Sequence, residues 1–252
     1  MSGRLAGRTV LVTRDEEADG PLSRALAARG ASVVHVPLLE TQPPEDSEAL
    51  ERERQRLGEY DWIFLTSARA VTALAGAGPR NGRPRLAAVG EGTARAAAGR
   101  GWTAAVVGSG GAEALVAAMS SEGPLEGRSV LFPAADRARS EGVQALESAG
   151  ARVRVVTAYR TVARKSAAAE LAAVLRRPEL DAATFTSPSA VEVLAAGGAA
   201  GLPRGPSGPC FAAIGPTTRA ALEALGIENV VMPDRPDFEA LADALAAALS
   251  PG

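Results

Sequence analysis

Ten short apolar runs punctuate the chain, and apolar residues return at helical spacing in the stretches between them. The runs predict strands near Thr9–Thr13, Ser32–Val36, Asp61–Leu65, Arg85–Val89 and Ala104–Val107, then near Ser129–Phe132, Arg152–Val156, Asp181–Phe185, Cys210–Ile214 and Asn229–Met232. They are apolar throughout, as strands covered on both faces are. Between them, Ala- and Leu-rich segments such as "PLSRALAARG" and "TRAALEALG" end in glycine, a helix stop. Strands alternating with helices predict an α/β fold of two doubly wound parallel-sheet domains.

The pattern is written twice. "GRTVLVTR" from Gly7 aligns with "GRSVLFPA" from Gly127, and "DWIFLTSARAVTAL" from Asp61 with "DAATFTSPSAVEVL" from Asp181, both at an offset of 120 residues. Leu26, Gly30, Val33, Val36 and Thr41 keep that offset to Leu146, Gly150, Val153, Val156 and Thr161. The offset then grows by five, so that "AAVGEGTARAA" from Ala87 meets "AAIGPTTRAAL" from Ala212. The extra residues fall in the Gly/Pro-rich "GGAAGLPRGPSGP", where a surface loop tolerates insertion. The period is too long for a solenoid and marks a domain-sized unit used twice.

Composition narrows the chemistry. Hydrophobic residues make up 46% and charged residues 22% of 252, an ordinary globular balance. No apolar run approaches the length of a membrane span. The opening "MSGRLAGRTVLVTR" reads as a first strand without a leader, so the cytoplasm is the expected compartment. A net charge of −2 argues against a broad basic face for nucleic acid. With one cysteine, Cys210, and one histidine, His35, an intramolecular disulfide and a zinc cluster are both excluded. His35 in "SVVHVP" reads as a packed strand residue, and Cys210 as a small buried hydrophobe. Neither sits in a Ser-His-Asp or Cys-His motif. "GEGTAR" lacks the third glycine of a dinucleotide fingerprint, and no P-loop is present. The run "SEALERERQRL" reads as a solvated helix face with spaced Glu/Arg pairs.

Ligands of open parallel sheets bind beyond the carboxyl ends of the strands. Those ends carry Thr13–Arg14, Thr66–Ser67, Gly90–Thr93, Thr186–Ser189 and Gly215–Thr218. Ser and Thr cap the helices that follow, and Pro188 suits a first helical position. Together these hydroxyl- and glycine-bearing turns also favour an anion, because helix starts present N–H groups. Arg14, Arg69, Arg137 and Arg139 fall just after strands or at helix starts. Tyr159 follows a strand in "VVTAYRTV" and reads equally as packing or as function. On the residues alone, a non-catalytic two-domain binding protein for an anionic metabolite stays open beside an enzyme.

"TFTSPSAVEVL", "FAAIGPTTRAALEALG", "AYRTV", "IFLTSARAV" and "VGEGTARAA", in this order and spacing, resemble uroporphyrinogen-III synthase over almost the whole chain. The resemblance implies two flavodoxin-like domains joined by a two-stranded linker, with the active site in a cleft. It implies interleaving: residues 1–37 with 162–252 form one domain and 41–157 the other, with crossings at 38–40 and 158–161. The implied reaction closes the linear tetrapyrrole hydroxymethylbilane to uroporphyrinogen III, with loss of water and inversion of the last pyrrole ring. The substrate, a polycarboxylate, also closes unaided to the uninverted isomer, so the enzyme mainly holds a productive fold. The resemblance further implies a monomer with no metal or cofactor, no nucleic acid and no membrane partner. Tyr159 matches the linker tyrosine and is the expected catalytic residue, a neutral donor assisting loss of the hydroxyl. Arg14, Ser67, Arg69, Thr93, Arg137, Ser187, Ser189, Thr217 and Thr218 match the expected substrate contacts.

Overall fold

The computed structural model describes residues 4–74, 76, 84–137, 141–197 and 208–250. Along the chain run β1 (Thr9–Val12), α1 (Pro21–Ala28), β2 (Ser32–His35), β3 (Leu39–Gln42), α2 (Ser47–Gln55), β4 (Trp62–Leu65), α3 (Ala68–Ala73), β5 (Arg85–Val89), α4 (Gly90–Ala98), β6 (Ala104–Gly108) and α5 (Ala112–Ser121). There follow β7 (Ser129–Ala135), α6 (Glu141–Ser148), β8 (Arg152–Ala163), α7 (Ala167–Leu175), β9 (Leu180–Phe185), α8 (Pro188–Ala196), β10 (Cys210–Ala213), α9 (Pro216–Ala224), β11 (Val230–Val231) and α10 (Phe238–Ala248). All ten anticipated strands form. To them are added β3 and an extension of β8 to Ala163, the two stretches where the chain passes from one unit to the other.

The chain divides into a unit of residues 1–40 with 162–252 and a unit of residues 41–161. The first has a parallel sheet in the order β2-β1-β9-β10-β11. The second has parallel strands in the order β8-β7-β4-β5-β6, with β3 beside β8 in the same sheet. The duplication makes β1 equivalent to β7, β2 to β8, and β9, β10 and β11 to β4, β5 and β6. Both sheets therefore have the flavodoxin-like order 2-1-3-4-5. Each unit takes its first two strands from one repeat and its last three from the other, so repeat boundaries and unit boundaries do not coincide.

The aspartate that opens the repeated stretch joins these exchanged pieces. Asp181, at the start of β9, accepts from the Thr9 N–H at 2.8 Å and from the Arg8 guanidinium at 2.7 Å. Asp61, just before β4, accepts from the Ser129 N–H at 2.9 Å and pairs with Arg128 at 3.4 Å. Each carboxylate thus fixes the start of the neighbouring switch-point strand, which comes from the other repeat.

Both sheets are covered on two faces, as apolar strands require. In the first unit Leu11, Phe185 and Phe211 pack under α7, α8 and α9, while Val10, Val12 and Ala212 pack against Leu22, Leu26, Leu241 and Leu245 of α1 and α10. In the second, Ile63, Leu65 and Leu131 pack under α2, α3 and α4, and Phe64 meets Phe132 edge-to-face at 5.1 Å on the opposite side. Each such Val, Leu, Ile or Phe side chain contributes about 1.5–3 kcal/mol by leaving water. Gly30 and Gly150, the equivalent helix stops, have φ of 93° and 82°, the left-handed conformation that a side chain resists.

Three sequence readings meet the structure differently. His35 is held from α1, its Nε2 lying 3.2 Å from Ser23 Oγ, and Cys210 is buried, which pushes its thiol up to about 11. The charge run of α2 is not wholly solvated: Glu53 is 4% exposed. Its carboxylate accepts from Tyr60 Oη at 2.5 Å and Arg154 Nε at 2.7 Å, because α2 lies beside β8 with Glu53 facing it. Burial opposes ionisation of Glu53, but the bonds from Tyr60 and Arg154 and the charges of Arg154 and Arg56 outweigh it and hold the carboxyl below its ordinary range. Burial and the same carboxylate push the Tyr60 phenol above its ordinary range.

Candidate active site

In a 2-1-3-4-5 sheet the strand order reverses between the first and third strands, and the crevice beyond their carboxyl ends is the expected binding place. In the second unit this point lies between β7 and β4. After the buried β4, Thr66 is exposed and Ser67 turns the chain into α3 with φ −154° and ψ 152°, its Oγ accepting the Ala70 N–H at 3.2 Å. On the other side β8 carries one residue more than β7: Ala134 pairs with Thr157 but Ala135 with Tyr159. Such a bulge re-aims the side chain beside it. The Asp136 N–H donates to the Tyr159 carbonyl at 3.0 Å and fixes the backbone there. The outcome is a contact across the switch point, with Tyr159 Oη 3.0 Å from Ser67 Oγ.

A cavity of about 500 Å³ opens at this edge, lined by Thr66, Val89, Gly110, Gly111, Phe132 and Tyr159 among others. A second, of about 600 Å³ and more apolar, has Pro43, Pro44, Leu50, Arg69, Ala73 and Tyr159 in its wall. Tyr159 is the residue shared by both. Helix starts face the first cavity. No side chain caps α4, which begins after Val89, or α5, which begins after Gly111. Gly110 and Gly111 have φ of 108° and 100°. Uncapped N–H groups suit an anion, whereas the exposed Glu113 and Glu141 in the same lining oppose one.

At the switch point of the first unit, β1 and β9 are clasped by two buried threonines: Thr13 Oγ1 donates to the Thr184 carbonyl at 2.6 Å and Thr184 Oγ1 to the Leu11 carbonyl at 3.0 Å. Arg14 beyond them pairs with Glu16 at 3.0 Å and lies 4.6 Å over the Phe238 ring. Glu16 also accepts from the Ser23 N–H at 2.8 Å, so α1 already has a carboxylate at its start. Ser187 caps α8 through the Ala190 N–H at 3.3 Å, Ser189 is half-buried in the first turn, and α9 begins after Gly215 without a side-chain cap.

A model of the family described as Uroporphyrinogen-III synthase HemD matches residues 20–243. The chain belongs to the uroporphyrinogen-III synthase family. It is 30% identical over 240 residues to the uroporphyrinogen-III synthase of Synechococcus elongatus, covering 88% of each chain. Its fold is similar to that of the Helicobacter pylori uroporphyrinogen-III synthetase, with a TM-score of 0.64 and 18% identity over 96% of this chain and 99% of that one. It is also similar to a mutant uroporphyrinogen III synthase of Thermus thermophilus, with a TM-score of 0.60 and 19% identity over 96% and 98%.

As a uroporphyrinogen-III synthase, the enzyme is a cyclising lyase of haem biosynthesis. Of the residues expected at such a site, the structure brings Tyr159 and Ser67 into contact and sets Arg69 in the wall of a cavity that Tyr159 shares. Arg14 is held by Glu16 and Phe238, Arg137 and Thr217 are exposed, and Ser187 caps. Thr93 and Thr218, equivalent in the two repeats, are only 6% and 1% exposed. Both fall in the first turn of their helix. Arg139 lies outside the described residues. Sequence reading missed the turn at Gly110–Gly111, whose "GSGGAE" between β6 and α5 was the available signal. It also missed the bulge in β8, which leaves no mark in residue types.

Proposed function

We propose that Tyr159 assists the loss of the hydroxyl of hydroxymethylbilane at the switch point of the second unit. The observation that supports this most directly is the 3.0 Å contact of Tyr159 Oη with Ser67 Oγ beside a cavity of about 500 Å³. The phenol gives its proton to the hydroxyl, which leaves as water with the C–O electron pair. The last pyrrole then attacks the carbon so exposed through its substituted α-carbon, giving a spiro intermediate; the bond from that α-carbon to the neighbouring methylene breaks and re-forms at the ring's other α-carbon, which inverts the ring. The phenolate recovers a proton from the ring carbon as that ring becomes aromatic again. Atoms and charge balance with no oxidant or reductant.

In the second unit, substrate carboxylates are taken to meet the uncapped starts of α4 and α5 with Arg69 and Arg137 as charged contacts; in the first unit, taken by itself, the uncapped start of α9, Arg14, Ser187, Ser189 and Thr217 are the groups that suit a carboxylate. Glu113 and Glu141 are exposed, and solvent screens their repulsion. Thr93 and Thr218 have no part in this reading. The same reading makes the enzyme a cytoplasmic monomer, consistent with a single, buried cysteine that needs no oxidising compartment.

Steady-state kinetics on hydroxymethylbilane test the assignment. Tyr159→Phe is expected to lower kcat by roughly 10²-fold with little change in KM, the magnitude of a lost general acid. An unchanged kcat would remove Tyr159 from the chemistry.

A further inference from the structure

Ser67 has two polar neighbours of different kinds. Its Oγ accepts the Ala70 N–H at 3.2 Å, the cap of α3, and lies 3.0 Å from Tyr159 Oη. A serine hydroxyl has one proton and two lone pairs. The cap occupies a lone pair and leaves the proton to be placed. From this geometry we infer that Ser67 donates that proton in a hydrogen bond to Tyr159 Oη, so that the tyrosine's own proton is turned into the cavity and held ready for the leaving hydroxyl. Ser67 is then a positioning residue for Tyr159 and not a contact to substrate.

The opposite arrangement, with Tyr159 donating to Ser67, would tie up the proton that the reaction needs. It would also leave the serine proton without an acceptor from either of those neighbours. The donation from Ser67 has a second effect: it remains in place when Tyr159 becomes a phenolate, and a hydrogen bond to an ionised oxygen is stronger than one to a neutral one. The contact therefore strengthens as the C–O bond breaks, which is what lowers a barrier instead of merely tightening binding.

The duplication supplies a comparison inside the same molecule. Ser187 occupies the equivalent position and caps α8 in the same way, at 3.3 Å from the Ala190 N–H. The residue equivalent to Tyr159 in that repeat is Leu39. Both serines kept the cap, and only Ser67 has a phenol to orient. A cap alone therefore does not account for the Ser67 contact.

The inference rests on the assignment of Tyr159, and its test separates the two. Ser67→Gly removes the hydroxyl while glycine remains an acceptable N-cap, and Ser67→Thr keeps both hydroxyl and cap. Each would be measured alone and with Tyr159→Phe, by kcat and KM on hydroxymethylbilane, with thermal unfolding recorded for every variant. Ser67→Gly is expected to lower kcat roughly tenfold with KM little changed, the effect of one hydrogen bond to a charged oxygen. Ser67→Thr is expected to recover most of that loss. In the Tyr159→Phe background Ser67→Gly is expected to add nothing. A raised KM with unchanged kcat in Ser67→Gly would make Ser67 a substrate contact and overturn the inference. Equal, multiplying losses in the double variant would overturn it too, while leaving Tyr159 in place. Full activity in Tyr159→Phe would remove the assignment and the inference together.

Discussion

Glu53 carries the clearest consequence at the scale of single residues. It is buried, bonded by Tyr60 and Arg154, and its carboxyl is held below its ordinary range. A carboxyl whose folded pKa is depressed stabilises fully above its unfolded value and loses that contribution as pH falls through the folded one. The second unit should therefore lose stability on acidification below the ordinary carboxylate range, and Glu53→Gln should flatten that dependence. At neutral pH the same change should cost about 1–3 kcal/mol, since two donors lose a charged acceptor; urea unfolding at several pH values measures both effects. Nothing in "SEALERERQRL" distinguishes Glu53 from its solvated neighbours, because the strand that buries it lies a hundred residues away in Arg154's β8. Tyr159 was legible as a residue, since tyrosines are rare here, but its partner was not. The contact with Ser67 depends on a one-residue bulge that composition does not record.

At the scale of elements, the strands were legible and their neighbours were not. Continuous apolar runs mark a strand buried on both faces wherever it sits in the sheet, so the ten runs say nothing of order. Order is enforced in part by the paired aspartates. Asp181 accepts from Thr9 and Arg8 in β1's approach, and Asp61 from Ser129 at the start of β7. Asp181→Ala strands a half-buried N–H and guanidinium and should cost about 1–3 kcal/mol by denaturant unfolding. The paired change Asp61→Ala should give a similar loss. The Thr-Ser turns work at the same scale. Ser187→Ala removes the cap of α8 and should cost about 1 kcal/mol of stability. A loss above about 3 kcal/mol would mean that Ser187 does more in the fold than cap.

At the scale of the whole molecule, the repeat and the folding unit are different objects. Each five-stranded 2-1-3-4-5 order takes two strands from one repeat and three from the other. The second unit, by contrast, is continuous in sequence from Thr41 to Thr161 and holds the full β8-β7-β4-β5-β6 order with both its aromatic and aliphatic cores. A fragment of residues 41–161 should fold cooperatively, judged by a sigmoidal thermal transition in circular dichroism. The duplication was plain in the sequence, and the exchange of pieces was not deducible from it, because equivalent halves present equivalent edges. A non-cooperative transition in the 41–161 fragment would contradict the exchanged arrangement.

In the proposed function Tyr159, at the switch point of the second unit, supplies the proton with which the hydroxyl leaves before ring closure. Hydroxymethylbilane closes unaided to the uninverted isomer, so that background reaction serves as an internal clock. The direct measurement is the ratio of isomer III to isomer I formed from freshly generated hydroxymethylbilane at limiting enzyme, for the natural protein and for Tyr159→Phe at matched folded concentration. The natural protein should give predominantly isomer III, and Tyr159→Phe should shift the product toward isomer I as its rate falls toward the unaided one. An isomer ratio in Tyr159→Phe equal to that of the natural protein, at equal enzyme, would contradict the claim.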